Sequence, residues 1–290
     1  MLPDLPYYVQ RVPTNGFHWL DATTADLDKP RLKGRFLTAG IPVKMPIQVR
    51  AYDPLQERGL FRTFADLQPS EPTILDFANR YGLLGFKMRM IPVAPGPKPG
   101  SHLVGAGELL NDWKAAVTEM QESVSIWDSV QQRDASRLQQ LFSWIPEDQG
   151  VRYHQASPDL PKAVGGEWLI TQNEPELFSR FAPGDLFGPA LLFIQRRINT
   201  KLVEYSVTAR LLWNPGYSRL SLHFVPSSLL GCLWLQFAQA LDGDRKYRQC
   251  PDCRRWFEFT SHASRKDKVF CSPTCKASAH RKKIGRALNR

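Results

Sequence analysis

The sequence predicts an α+β protein with two parts, a larger mixed domain over residues 1–243 and a small zinc finger over residues 244–290. Helical and strand-like hydrophobic patterns alternate along the first part, while four of the five cysteines lie between Cys250 and Cys275. The second part also carries all of the net charge of +10, with 14 lysines and arginines against 4 acidic residues. A chain of 290 residues that is 42% hydrophobic is long and apolar enough to bury a core.

The first 65 residues are rich in proline and glycine, and only short β-like pieces such as IPVKMPIQVRAY stand out, so this region is predicted as mixed. A short amphipathic helix follows in SEPTILDFANRYGLLG. Ser70 can cap this helix, Pro72 suits its first turn and Gly82 can end it. Its predicted apolar face consists of Ile74, Phe77, Ala78 and Tyr81.

The segment PVAPGPKPGS, residues 92–101, contains four prolines and is predicted as a linker or surface loop. Beyond it, from Gly107 to about Gln132, apolar residues recur at spacings of three and four, which predicts one long core helix. These residues are Leu109, Trp113, Ala116, Met120, Val124, Trp127 and Val130.

The rest of the first part alternates helix and strand patterns. We expect a helix in SRLQQLFSWI, strands in VRYHQA and EWLITQ, and a helix in GPALLFIQRRINTKLVEY. SVTARLLW and RLSLHFVP, separated by NPGYS, predict a β-hairpin. The helix from Ser227 to Ala240 is apolar nearly all round, which predicts burial, and its Cys232 is interpreted as a buried thiol.

The second part contains two close cysteine pairs, a Cys-x2-Cys pair and a Cys-x3-Cys pair separated by 17 residues. Because Zn²⁺ prefers four tetrahedral ligands, these pairs predict one structural zinc ion held by Cys250, Cys253, Cys271 and Cys275. WFEF and KVF between the pairs are predicted strands of a hairpin, and Pro273 suits the first turn of a terminal helix. Knuckle, hairpin and helix in this order indicate a treble-clef-like finger.

Other interpretations of the cysteines stay open at this point. Unligated buried cysteines would not need paired spacing, and a redox dithiol would leave the second pair unexplained. His262 and His280 are possible substitute ligands. A histidine between the pairs also suggests a treble-clef nuclease, but four cysteine ligands leave no open position on a catalytic metal.

The charge of the second part indicates a surface for nucleic acid, DNA more than RNA. A zinc ion bound by four thiolates would lower the net charge of this part to about +8. Phosphates bind such a surface with strong salt dependence. The candidate contacts are Arg254, Arg255, Arg265, Lys266, Lys268, Lys276, Arg281, Lys282, Lys283 and Arg286. The alternatives are a solvated basic face, or a protein-interaction module anchored by Trp256, Phe257 and Phe259, with a homo-oligomer also possible.

No catalytic motif is evident, since the sequence has no phosphate-loop, Gly-x-Ser-x-Gly or His-Glu-x-x-His pattern. His154 near Asp159 and Asp185 near Glu204 are interpreted as ordinary surface residues. No stretch reaches the roughly 18 apolar residues of a membrane span, and MLPDLPYYVQRVP lacks the order of a signal peptide. We therefore expect a cytoplasmic protein that is not an enzyme and does not contact membranes.

The apolar helix LLGCLWLQFAQAL, followed by YRQCPDCRRWFE and FCSPTCKASAHRKK, resembles bacterial proteins of the ABATE and CGNR zinc-finger type. The resemblance covers residues 227–283. It implies a cytoplasmic DNA-binding transcription regulator with an α-rich or α+β domain before the finger. The Cys-Gly-Asn-Arg signature of that family is replaced here by Cys275-Lys276-Ala277-Ser278, and the last two cysteines are spaced more closely, which affects the expected DNA contacts more than the zinc.

Overall fold

The computed structural model confirms the α+β class. It describes residues 8–25, 31–39, 48–145, 150–154, 167–171, 173–214, 219–259 and 268–288. Helices there alternate with small antiparallel sheets, and one main hydrophobic core extends from Val12 to Ala240. A second, small cluster is built on Cys250, Phe257 and Cys275.

The elements follow each other in this order along the chain. The strands are β1 (Gln10–Pro13), β2 (His18–Thr23), β3 (Lys33–Thr38), β4 (Val49–Tyr52), β5 (Arg89–Pro95), β6 (His102–Leu109), β7 (Phe142–Ile145), β8 (Gly150–Tyr153), β9 (Glu167–Ile170), β10 (Thr208–Asn214), β11 (Arg219–Val225), β12 (Tyr247–Gln249) and β13 (Trp256–Glu258). The helices are α1 (Leu60–Ala65), α2 (Glu71–Tyr81), α3 (Leu110–Gln131), α4 (Ala135–Leu141), α5 (Pro175–Phe178), α6 (Phe187–Glu204), α7 (Leu229–Asp242) and α8 (Pro273–Leu288), with a 3-10 turn at Pro54–Gln56.

Helix α2 has the extent and the buried face that its sequence predicts, but the Ser70 side chain makes no capping hydrogen bond and its hydroxyl lies 2.9 Å from that of Thr73. It begins after Ser70, whose backbone is extended, and it ends at Gly82, whose φ of 95° lies in the region that favours glycine. Its buried residues are Ile74, Phe77, Ala78 and Tyr81.

The proline-rich segment 92–101 is only partly a loop, so the prediction for residues 92–95 is wrong. These residues form the second half of β5, which pairs with β6 in the sheet β2-β3-β6-β5. Because β5 lies at the edge of this sheet, it has a neighbouring strand on one side only and can contain Pro92 and Pro95, which have no N–H to donate. The pairing shifts register between Pro92 and Ala94, and the turn to β6 occupies residues 96–101.

The long core helix begins later than its pattern predicts, because Gly107 to Leu109 end strand β6. Glu108 in this strand is buried and its carboxylate accepts hydrogen bonds from the backbone N–H groups of Leu84, Gly85 and Phe86 at 2.6–3.2 Å. Burial raises the pKa of Glu108 to about 7, although these three N–H groups act in the opposite direction.

The predicted helix in SRLQQLFSWI is also shorter than expected. Helix α4 ends at Leu141, and Phe142 begins strand β7, which pairs with β8. Phe142 lies opposite Tyr153 and Trp144 opposite Val151, so strand pairing overrides the helical pattern. The predicted strands β8 and β9 complete this three-stranded sheet and are confirmed.

The last four elements of the large part match their sequence patterns, except that Ser228 rather than Ser227 begins the last helix. Helix α6 and the antiparallel pair β10 and β11 are present, and Ser228 caps α7 through the N–H of Gly231 at 3.0 Å. Helix α7 is buried from Leu229 to Phe237, as its uniform apolar character predicts. It contains Gln236, whose amide accepts from Phe61 N and donates to the carbonyls of Pro54 and Glu57. This buried side chain fixes α7 against the start of α1.

Candidate metal centre

The first cysteine pair lies in the turn between β12 and β13, which corrects the predicted hairpin. Strand β13 lies within the predicted WFEF, but it pairs with β12, ahead of Cys250, rather than with KVF. Residues 268–270 form no strand, and the Lys268 carbonyl instead accepts the Arg248 guanidinium at 3.0 Å. The Arg248 side chain therefore holds residues 268–270 in place, where pairing between two strand backbones was expected.

A tight turn brings Cys250 and Cys253 together. Cys250 N donates to Arg255 O at 2.9 Å, and Arg254 N donates to Cys250 O at 2.8 Å. Arg254 closes the turn with a φ of 58°, in the left-handed region. The backbone N–H groups inside such a turn point towards the sulfurs, as in zinc knuckles.

The second pair lies at the start of α8, as the sequence predicts. Pro273 begins the helix, and the Ser272 hydroxyl accepts a hydrogen bond from Cys275 N at 3.2 Å. Cys275 thus lies in the first turn and points towards Cys271, with the two sulfurs 3.5 Å apart.

The four sulfur atoms form one compact group, all within 4.8 Å of one another. Cys253 and Cys271 are 3.5 Å apart, far beyond the roughly 2.05 Å of a disulfide, so these thiols are free. A tetrahedral ion with Zn–S bonds of about 2.3 Å would separate the sulfurs by about 3.8 Å. The spacing therefore fits a single metal ion at the centre of the group.

The surroundings of the sulfurs stabilise thiolate at the first pair. Burial acts to raise the pKa of Cys250, but backbone N–H groups of Cys253, Cys271 and Asp252 outweigh it and lower that pKa. The pKa of Cys253 falls to about 6, because N–H and guanidinium groups of Arg255 offset burial. Burial and the neighbouring thiols raise the pKa of Cys271 to about 12. Anionic and neutral sulfurs thus share the group, and a bound cation would favour the thiolate at each of them.

The module that contains this group packs directly on the larger part. The Trp256 indole donates to the Asp66 carboxylate, and the Arg62 guanidinium lies 5.1 Å from the Trp256 ring centre. Tyr247 packs edge-on against Phe61, with ring centres 5.2 Å apart. Arg58, from the loop before α1, and Arg245 both reach Glu258 at 3.5 Å, and Arg255 lies 4.0 Å from Glu57.

The candidate protein anchors are therefore occupied within the chain. Trp256 faces α1, Phe257 is buried beside Cys250 and Cys275, and the Arg248 guanidinium lies over Phe259 at 4.5 Å.

The predicted nucleic-acid contacts fall into three groups. Arg255 and Lys268 are half-buried, the first beside Cys253 and the second over the Phe257 ring. Lys282 is exposed but its Nζ lies 2.7 Å from the Asp252 carboxylate. The remaining described candidates are exposed, namely Arg254, Lys276, Arg281 and Lys283. Arg265, Lys266 and the side chain of Arg286 lie outside the described residues, as does His262.

Asp252 is a residue of this site that the sequence did not single out. Its carboxylate accepts hydrogen bonds from Ser278 Oγ at 3.2 Å and from Lys282 at 2.7 Å, and these bonds lower its pKa. Both partners lie on the face of α8 that also carries Cys275. The sequence did contain a signal for Asp252, namely its place between the two candidate metal ligands of CPDC. A short acidic side chain there can reach only other residues of the module.

Two other titratable residues that the sequence offered, His154 and Asp185, make hydrogen bonds that hold the fold together. His154 shares a hydrogen bond with Ser143 at 2.8 Å, and Asp185 caps α6 through the N–H groups of Phe187 and Gly188. In the described residues, no helix has the length and apolar character needed to cross a bilayer.

No protein-family model matches this chain, and comparisons with curated proteins and with solved structures find no match either.

Proposed function

We propose that the four cysteines hold one structural zinc ion and that the module of residues 244–290 binds nucleic acid, DNA in preference to RNA, as part of a regulatory protein. One observation carries this proposal. Ion pairs engage Lys282 and Arg255, but in the described part of the chain no carboxylate pairs with Arg254, Lys276, Arg281 or Lys283. These exposed cations are available for phosphates.

The sulfur group supports zinc as the metal. Four cysteines in a closed tetrahedral arrangement are the usual donors of structural zinc, and harder cations such as Mg²⁺ prefer oxygen. Zinc bound there would fix the start of α8 relative to the β12–β13 turn. With all four positions taken by protein sulfur, the ion would have no site for a reacting water, which favours a binding role over catalysis.

The faces of α8 support the proposed direction of binding. The side of α8 that faces the other cysteines carries Cys275, Ser278 and Lys282, which contact Cys271 or Asp252. On a helix with 100° per residue, Lys276, His280 and Lys283 lie on the opposite side. That outward face is exposed. A rigid helix with two lysines seven residues apart on one exposed face suits the phosphates of a duplex.

The test measures zinc content and the affinity for a DNA duplex at two salt concentrations. The pair K276Q and K283Q should lower affinity at least ten-fold at low salt and reduce the salt slope by about 2, since two phosphate contacts are lost. K33Q with K98Q is the matched control, because it removes the same charge from exposed lysines of the larger part. K282Q should have a smaller effect, because Asp252 already neutralises that lysine.

The zinc assignment has its own control within this experiment. C253A should lose the metal, whereas C232A should keep one zinc ion per chain, because Cys232 is buried in α7 and outside the sulfur group. A zinc-loaded protein that binds neither DNA nor RNA at low salt would contradict the nucleic-acid proposal. Equal losses of affinity in K276Q with K283Q and in the control K33Q with K98Q would contradict the assignment of the binding surface to α8. Stronger binding to an RNA duplex than to DNA would reverse the choice of nucleic acid.

A further inference from the structure

Strands β10 and β11 form a two-stranded ribbon whose two faces differ in character. The cross-strand pairs Ala209 with Phe224, Leu211 with Leu222, and Trp213 with Leu220 alternate along the ribbon with pairs that each contain at least one polar residue. Because neighbouring residues of a strand point to opposite sides, these six apolar side chains lie on one face. We call them the apolar face of the ribbon.

The apolar face is open to solvent. The exposed fractions are 66% for Leu211, 68% for Trp213, 63% for Leu220, 62% for Leu222 and 54% for Phe224. These five are among the most exposed large apolar residues that the structure describes. Single exposed apolar side chains are ordinary on protein surfaces, but five that are contiguous on one ribbon indicate an interaction surface.

The opposite face differs in chemistry, because it carries polar side chains that bond to one another. There Arg210 Nε donates to Thr208 Oγ1 at 3.2 Å, and Ser221 Oγ is hydrogen-bonded to His223 Nε2 at 2.7 Å. Hydrogen-bonded polar side chains suit contact with water. The ribbon is therefore amphipathic, and its apolar face is open to solvent.

The end of the ribbon at which the chain enters β10 and leaves β11 is fixed to the body. Tyr205, at the end of α6, is buried, and its carbonyl accepts a hydrogen bond from Ser227 Oγ at 3.1 Å, just before α7 begins. In the described residues, neither β10 nor β11 pairs with a third strand. A two-stranded hairpin is marginally stable in water unless a further layer covers its apolar side. The missing layer must then come from outside the described part of the chain.

We infer that the apolar face of this ribbon packs against the same face of a second copy of this chain, forming a twofold dimer. The five exposed side chains offer roughly 600 Å² of apolar surface per chain. That is close to the roughly 800 Å² per partner of a standard specific interface, so the ribbon and its immediate surroundings suffice for a dimer.

The chemistry of the face selects a second copy. Its six residues include no charged or hydrogen-bonding group apart from the Trp213 indole, so it requires only another apolar face of equal length. An antiparallel ribbon rotated by 180° presents the same surface, which makes it self-complementary. Two ribbons stacked about 10 Å apart would interdigitate their leucines and aromatic rings as a small β-sandwich. This inference is independent of the zinc and of nucleic acid.

The test is the oligomeric state of the zinc-loaded full chain without nucleic acid, measured by sedimentation equilibrium from about 1 to about 100 µM. We expect a dimer for the native chain and a monomer, or at least a ten-fold weaker dimer, for L211T with L222T. These residues are a solvent-exposed cross-strand pair and threonine favours strands, so the fold should persist. R210T with H223T, the cross-strand pair on the polar face, is the matched control and should remain dimeric.

A native chain that is monomeric throughout this concentration range would overturn the inference, whatever else the ribbon binds. So would a dimer that L211T with L222T leaves intact. If that pair fails to fold by circular dichroism, the single change F224T replaces it and should still raise the dissociation constant several-fold. An unchanged dissociation constant for a folded F224T chain would likewise contradict a dimer through this face.

Discussion

Two buried polar side chains, Glu108 and Gln236, connect segments that are distant in the sequence. Glu108 binds three backbone N–H groups after α2, and Gln236 binds the backbone around the start of α1. Neither was predicted, because a single Glu in a strand or a Gln in an apolar helix has no local pattern that names its remote partner. The cysteine group could be predicted because its spacing is itself local, whereas the partners of Asp252, which are Ser278 and Lys282, lie 26 and 30 residues away in the sequence.

Glu108 makes stability depend on pH. Its pKa rises from an ordinary 4.5 to about 7 in the folded protein, so the folded state binds its proton more tightly than the unfolded state. This contribution to the free energy of unfolding is complete below pH 4.5 and is lost as the pH rises through 7, a change of about 3 kcal/mol. E108Q should remove that part of the pH dependence.

Urea unfolding of the native chain and of E108Q at several pH values between 4 and 8 measures the effect. The difference between the two proteins is the relevant quantity, because every other titrating group affects both alike. A difference that stays constant over this range would show that Glu108 keeps its ordinary pKa.

The elements that the sequence predicts well are those with long periodic patterns. Helices α2, α6 and α7 and the β10–β11 pair fall close to their expected positions. Predictions failed where a short segment could follow either a local or a tertiary preference. β5 contains prolines that only an edge strand tolerates, β7 pairs with β8 against a helical pattern, and residues 268–270 are held by Arg248 instead of by a strand.

Helix α1 depends on one glycine at the contact with β13. Gly59 precedes the helix with a φ of 92°, and a Cβ there would lie 3.1 Å from Trp256 Cβ and 3.3 Å from its backbone. G59A should lower the free energy of unfolding by about 2 to 3 kcal/mol, since it adds both strain and a contact that is too close.

G100A is the control for this substitution in urea unfolding. Gly100 has a φ of 78°, but a Cβ there would meet nothing within 4 Å, so only the cost of the left-handed backbone, about 1 kcal/mol, remains. Equal costs for the two changes would mean that the close approach of Trp256 to Gly59 does not matter for stability.

At the scale of the whole molecule, the cysteine module does not stand apart from the larger part. Trp256, Tyr247 and Glu258 all contact residues in or next to α1, so the orientation of β12 and β13 is tied to the main core. Composition and charge predicted a second part from residue 244 but not this docking, because they reflect local content only. The docking contacts involve ordinary aromatic and charged residues, which no sequence pattern marks as partners.

W256A should loosen this docking. Loss of the ring removes the hydrogen bond to Asp66 and the packing under Arg62, and we expect hydrogen exchange of the β12 and β13 amides to rise at least ten-fold. W256F keeps an aromatic ring but no indole N–H, so its exchange rate should lie between that of the native chain and that of W256A. Exchange in W256A that matches the native chain would show that the module is held by its other contacts.

The edge formed by β5 has a consequence for how this protein behaves at high concentration. An open strand edge can recruit strands of other molecules and start aggregation. Here Ala25 N donates to the Met90 carbonyl at 2.8 Å, which covers the first part of the edge, and Pro92 and Pro95 offer no N–H along the rest. The prolines thus act as gatekeepers that stop the sheet from growing, so P92T with P95T should make the folded protein precipitate at concentrations where the native chain remains in solution.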